Sequence, residues 1–218
     1  MKVLAFNGSP RKDWNTATLL ERALEGAASQ GMETELVHLY DLDYKGCRSC
    51  YSCKLKGGES FGRCAAKDDL TPFLAKVVEA DAIIMGSPIY FGAITGEMKS
   101  FLERLGYPFW NPAYNSTLLE RRIPTGFIYT MGAPESRMKE MGWDRYFSTI
   151  EMFMNLVFGG SESLVVTDTL QYDDYSKYVY GSLVNPETKA ERRRTVFPED
   201  CQKAFDMGAR LASSASMA

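Results

Sequence analysis

Asn7-Gly8-Ser9-Pro10-Arg11-Lys12-Asp13-Trp14-Asn15-Thr16-Ala17-Thr18 is the stretch on which the fold turns. It follows the apolar run Val3-Leu4-Ala5-Phe6 and precedes Leu19-Leu20-Glu21-Arg22-Ala23-Leu24, whose apolar spacing is helical. Strand, polar loop, helix is the arrangement that aims backbone N–H groups and a helix dipole at an anion. Ser9, Thr16 and Thr18 add hydroxyls, Asn15 an amide and Arg11 a fixed charge, an inventory suited to a phosphate of about two negative charges. G-x-G-x-x-G and G-x-x-x-x-G-K-[ST] are both absent, which excludes the pyrophosphate and nucleoside-triphosphate loops. A terminal monophosphate fits. So does an ordinary strand-to-helix turn with Thr or Asn as N-cap.

Outward from this loop, the chain of 218 residues is 45% hydrophobic and 24% charged, the composition of one globular domain over 1–218. A net charge of −3 gives no support to a nucleic-acid or anionic-membrane partner. Arg192-Arg193-Arg194 reads as a solvated face. No apolar run is long enough to span a bilayer, and a core strand begins at once, so a cytoplasmic location is expected. There disulfides are rare, and five cysteines (47, 50, 53, 64 and 201) suggest metal, redox chemistry or burial.

Strands are expected at Val3–Phe6, Glu35–Leu39, Ala82–Met85, Thr125–Thr130 and Leu164–Val166, alternating with helices at Thr16–Ser29, from Asp68 or Asp69 to Glu79, at Thr95–Leu105, Met138–Phe158 and Glu199–Leu211. This is the pattern of an α/β doubly wound parallel sheet, helices on both faces, in the order 2-1-3-4-5 with right-handed crossovers. Two excursions stand out: a cysteine-bearing insertion at about 40–67 and a tyrosine-rich one at about 168–198. Ligands of such sheets bind beyond the carboxyl ends of the strands, at the switch in strand order. The loops after strands one, three and four therefore converge. Pro88-Ile89-Tyr90-Phe91-Gly92 offers an aromatic face and permissive backbone, and Thr130-Met131-Gly132-Ala133 a small polar edge. A flat isoalloxazine ring needs both. A core-filling β-turn is the plainer reading of the aromatics.

Asn7–Arg11 with Asn15-Thr16, and Ala80-Asp81-Ala82-Ile83-Ile84-Met85-Gly86-Ser87-Pro88-Ile89-Tyr90, resemble the NADPH-dependent FMN reductase-like flavoproteins of the flavodoxin-like superfamily. Cys47-x2-Cys50-x2-Cys53, the later Cys64 and Lys67-Asp68-Asp69 resemble the branch holding the iron–sulfur flavoproteins. The resemblance implies a noncovalent FMN, its phosphate held by the Ser9-Pro10-Arg11 turn, Asn15 and Thr16, its ring met by Pro88–Gly92 and Thr130–Ala133. It further implies NAD(P)H as cosubstrate.

Two spacings of three and a remote fourth cysteine match ferredoxin-type ligation of [4Fe–4S] by Cys47, Cys50, Cys53 and Cys64. Structural zinc more often uses two separated C-x2-C pairs. Helical spacing would also set the first three as buried thiols on a short helix. The ten residues between Cys53 and Cys64 exceed the compact spacing of the iron–sulfur branch. Cys201, in the last helix, reads as a buried or neutral thiol and His38, the single histidine, as a structural histidine.

The expected activity is thus FMN-dependent transfer of electrons from NAD(P)H to a small-molecule or protein acceptor, with no catalytic side chain required. The alternatives are an iron–sulfur electron carrier fed by a ferredoxin-like partner and a non-catalytic flavin-binding regulatory module. The apolar stretches Tyr107–Tyr114 and Tyr172–Tyr180 suggest a homo-oligomer that buries them.

Overall fold

The computed structural model describes residues 1–182 and 184–215. Its centre is a parallel sheet of β1 (Lys2–Asn7), β2 (Glu33–His38), β3 (Ala82–Tyr90), β7 (Thr125–Thr130) and β8 (Ser161–Val166) in the order β2-β1-β3-β7-β8. This is the 2-1-3-4-5 flavodoxin-like order, because β4 (Ala93–Ile94) folds back antiparallel on the tip of β3, while β5 (Trp110–Asn111) and β6 (Ser116–Thr117) form a separate hairpin.

Alternation within the strands builds two cores. Val3, Ala5, Ala82, Ile84 and Ile128 face α1 (Asn15–Ser29) and α7 (Phe197–Ala215). Leu4, Phe6, Ile83, Met85, Phe127 and Tyr129 face the layer of α2 (Thr71–Glu79), α3 (Gly96–Gly106) and α5 (Trp143–Phe158). Period-two alternation of side chains on strands buried from both sides requires this split.

Several boundaries differ from the sequence reading. β3 runs on through Pro88–Tyr90, expected as loop, because its last two residues pair with β4. The helix expected over Met138–Phe158 is broken into α4 (Glu135–Glu140) and α5 by Gly142, whose φ of +69° is left-handed. The excursion after β8 contains α6 (Pro186–Thr195), with Asn185 as N-cap accepting from Thr188 N–H. Neither Asp68 nor Asp69 caps α2; Leu70 occupies that position, and Asp68 pairs with Arg104 instead. Asn7 Nδ2 lies 3.0 Å from His38 Nδ1, so His38 is a structural partner of β1. Among the described residues, no helix is long and apolar enough to cross a membrane.

α1 and α7 touch backbone to backbone where two glycines meet: a Cβ on Gly26 would lie 1.9 Å from Phe205 O, and one on Gly208 1.8 Å from Ala23 O. Neither helix can yield freely, since α1 presses on β1 and β3 and α7 on β3 and β7. Gly208→Ala should therefore destabilise the fold by about 1–3 kcal/mol, the ordinary cost of overpacking, read as a lowered urea midpoint. An unchanged midpoint would show that the two helices are not held this close.

Candidate functional site

The loop between β1 and α1 lies flat against β3. Gly8 N–H donates to Gly86 O (2.8 Å) and Thr95 Oγ1 donates to Gly8 O (2.7 Å). Ser9 N–H donates to Asn7 Oδ1 (2.9 Å), and Ser9 Oγ accepts from Arg11 N–H (3.1 Å). These bonds fold residues 7–11 into a compact turn and bury the Ser9 side chain. Across the cavity, Thr16 Oγ1 meets Thr130 Oγ1 at 2.7 Å, joining the loop after β1 to the end of β7. Trp14 is the N-cap of α1 and makes no side-chain capping bond, so neither Thr nor Asn caps this helix.

A cavity of about 230 Å³ results at the carboxyl end of the sheet. Of the residues expected from sequence, it gathers Ser9, Arg11, Asn15, Thr16, Pro88, Ile89, Tyr90, Thr130, Met131 and Gly132. Pro10 is exposed outside it. Ala133 belongs to an adjoining cavity that shares Gly132 and Gln171 with this one. Phe91 and Gly92 form the β3–β4 turn, both left-handed at φ 51° and 81°; Phe91 is fully exposed and Gly92 rests on Trp143. Burial pushes the Tyr90 phenol up from its ordinary pKa, so it stays a neutral hydroxyl at the rim.

Four wall residues were not foreseen: Trp14, Thr169, Gln171 and Tyr172. The last three belong to the segment after β8, which closes the cavity from the side. Asp168 N–H and Thr169 N–H donate to Ala133 O and Met131 O (2.8 and 2.9 Å), carrying the segment along the β7 loop. Leu170 O then accepts from Trp14 Nε1 (3.1 Å) and Asn15 Nδ2 (2.8 Å), and Gln171 O from Arg11 Nη1 (2.6 Å). Arg11 stacks over Trp14 at 3.8 Å. The Asn15 amide is thus engaged by the protein itself rather than facing the cavity freely. The tyrosines pack mostly on one another: Tyr172 stacks on Tyr178, Tyr175 meets both Tyr172 and Tyr180 edge-on, and Tyr175 is buried.

The cysteine segment lies on the other side of α3. Cys47, Cys50, Cys53 and Cys64 all line one cavity of about 320 Å³, which shares no residue with the first. Residues 46–51 are not helical. Ser49 and Tyr51 are left-handed (φ 54° and 56°), and only Ser52–Lys54 forms a short 3-10 turn, so the reading of a buried helical stripe is overturned. Cys47 and Cys50 are exposed, Cys53 buried and Cys64 half-buried. Hydrogen bonds from the Ser52 backbone and hydroxyl hold the Cys50 thiol below its ordinary pKa, while burial pushes Cys53 up. Among the described residues, no three His, Cys, Asp or Glu side chains are gathered as a metal-ligand set. α3 backs the segment: Glu103 Oε2 accepts from Cys47 N–H (3.2 Å), and buried Arg104 donates to Lys45 O (3.2 Å) and to Asp68. Lys54 Nζ donates to Pro108 O (2.8 Å) and Trp110 O, covering part of the aromatic loop.

An iron–sulfur flavoprotein of Methanocaldococcus jannaschii is 40% identical over 104 residues, 48% of this chain and 51% of that protein. One of Archaeoglobus fulgidus is 46% identical over 104 residues, 48% of each chain. The chain thus spans about half the length of these curated relatives. Among solved structures, an NAD(P)H:quinone oxidoreductase from Methanothermobacter marburgensis superposes with a TM-score of 0.66 at 16% identity, over 97% of this chain and 96% of that one, a likeness of fold. Residues 1–139, which carry the first loop, β3 and β7, match the family described as NADPH-dependent FMN reductase, and the chain belongs to that family.

Proposed function

We propose that this chain is a flavin-dependent oxidoreductase that holds FMN in the cavity beyond β1, β3 and β7 and passes electrons from NAD(P)H to a small-molecule or protein acceptor. The observation that carries this reading is the convergence of three strand-end loops on one cavity at the switch in strand order. The donors there suit a phosphate: the compact Ser9 turn, the Thr16 hydroxyl, the first turn of α1 without a side-chain cap, and the Arg11 charge at the rim. Pro88–Tyr90 and Thr130–Gly132 would border the ring. When bound, FMN supplies the redox chemistry, and the protein supplies position and electrostatics. The exposed Tyr114, Tyr178, Val179 and Tyr180 are what favour a homo-oligomer, whereas Tyr107, Phe109, Trp110, Tyr172 and Tyr175 are wholly or partly covered within the chain.

A second reading is favoured by one observation, the meeting of four cysteines on a single cavity. Soft, anionic thiolates in that number suit a [4Fe–4S] cluster, with Cys47, Cys50, Cys53 and Cys64 as its ligands. The irregular backbone of 46–51 would let Cys47 and Cys50 turn inward, and the left-handed Gly57 and Gly62 would let Cys64 fold back toward them. On this reading the chain is an iron–sulfur electron carrier that takes electrons from a ferredoxin-like partner.

FMN should bind far more tightly than riboflavin, which lacks the phosphate, and NAD(P)H should be oxidised only by the FMN-loaded protein. Ser9→Ala should weaken FMN by about 1 kcal/mol, one lost neutral hydrogen bond, measured by flavin fluorescence titration. Gly92→Val should lower flavin occupancy further, because its left-handed φ and a Cβ 2.6 Å from Trp143 Nε1 would displace the turn beside the ring. Equal affinity for FMN and riboflavin would remove the flavin phosphate from this cavity.

For the cysteines, protein made anaerobically with iron and sulfide should carry both elements. Cys50→Ser should abolish the iron and keep FMN, since the two cavities share no residue, and Cys201→Ser should change neither. Iron-free wild-type protein from that preparation would leave the four cysteines as thiols.

A further inference from the structure

Beyond residue 139, where the family match ends, one helix reaches both loops that flank the flavin-phosphate cavity. On α6, Lys189 and Arg193 are one turn apart and so share a face. Lys189 is 4% exposed; its ammonium pairs with Asp168 and donates to Gly132 O in the loop after β7. Arg193 Nη1 donates to Asn15 Oδ1 (2.8 Å) at the first residue of α1, and its guanidinium lies over the Phe197 ring at 3.9 Å. Neither contact is the solvated basic face that Arg192-Arg193-Arg194 suggests.

The bond to Asn15 has a directional consequence. The Asn15 amide has one acceptor and one donor end, and Leu170 O takes the donor end. A flipped amide would set Nδ2 against the Arg193 guanidinium and Oδ1 against the Leu170 carbonyl, two repulsive contacts. Arg193 therefore fixes the amide at the start of α1, where Asn15 and Thr16 line the cavity. Gln171 ties the same segment to the other side, since a Cβ on Gly132 would meet its side chain at 2.7 Å.

We infer that α6 is a two-point clamp on the flavin-phosphate cavity, with Arg193 a positioning residue that presets the start of α1 for the phosphate and Lys189 one that presets the loop after β7. The inference rests on the reading that this cavity takes FMN. The Arg193 point acts on the phosphate end of the ligand, and the Lys189 point on the loop that borders the ring. A helix that merely supports the fold would affect every flavin alike.

The test is a pair of fluorescence titrations, with FMN and with riboflavin, on wild type, Arg193→Leu, Arg193→Lys and Arg194→Leu, each checked by its thermal midpoint. Arg193→Leu should weaken FMN about tenfold, the effect of one lost charged contact, and riboflavin less than about twofold. Arg193→Lys should lose about threefold, because a single ammonium keeps the charge without the guanidinium's fork. Arg194→Leu, which removes only an exposed pair with Glu191, should change nothing. FMN and riboflavin weakened alike, or FMN unchanged, would overturn the clamp. Should Arg193→Leu fail to fold, Arg193→Lys decides, and unchanged FMN affinity there would overturn it equally. A wild-type protein that does not prefer FMN to riboflavin would remove both the clamp and the flavin reading, a result seen before any variant is made.

Discussion

One backbone bond holds the site to its scaffold: Gly8 N–H to Gly86 O, at 2.8 Å, where the chain leaves β1 beside β3. It forms because neither residue has a Cβ. On Gly8 a Cβ would sit 2.8 Å from Met98 Cβ; on Gly86 it would strike Leu20 and Thr16 below 3 Å. With the loop pressed this close, α1 lies low enough for Thr16 to reach Thr130, and the ends of β1, β3 and β7 share one cavity. A loop raised by a methyl group would lengthen each of these contacts and separate the Ser9 turn from the Pro88–Tyr90 wall.

α3 carries that constraint across the molecule. At its start Thr95 caps the helix, accepting from Met98 N–H, and donates to Gly8 O. Near its end Glu103 and Arg104 hold the cysteine segment. At 1.5 Å per residue Thr95 lies about 12–14 Å along the axis from Glu103 and Arg104. The helix thus fixes the spacing between the two cavities, while the irregular backbone of residues 46–51 decides how the thiols are presented. Arg104 is buried with its Nε unpartnered among the described residues, and its link to Asp68 carries most of the compensation for that burial.

Local patterns made most of the scaffold legible. Val3–Phe6 and Ala82–Met85 read as buried strands from continuous apolar runs, and handedness then ordered the sheet. The loops after β1 and β7 were legible because their residues are adjacent in sequence and chemically matched. The segment 168–193 was not. Its bonds to Arg11, Trp14 and Asn15 use backbone carbonyls at 170 and 171, which leave no mark in residue type. The triple arginine misled for a related reason: Arg192 is committed to buried Asp200 and Arg193 to Asn15, leaving Arg194 alone on the surface with Glu191. Likewise, three-residue cysteine spacing suits a helix, and the left-handed Ser49 and Tyr51 that prevent one are residues with no special tolerance for that conformation.

The glycine contact between α1 and α7 also bears on the order in which the molecule is made. α1 leaves the ribosome well before α7, yet the surface that covers its Ala23–Gly26 face lies on α7, after the other described helices. Until then β3 and β7 have one face only partly sealed, and the nascent chain carries Ile84 and Ile128 in a half-covered layer. Joining such distant segments makes closure late and entropically slow. The half-finished chain is therefore the form most in need of a chaperone, and a ribosome paused before α7 would hold it there longest.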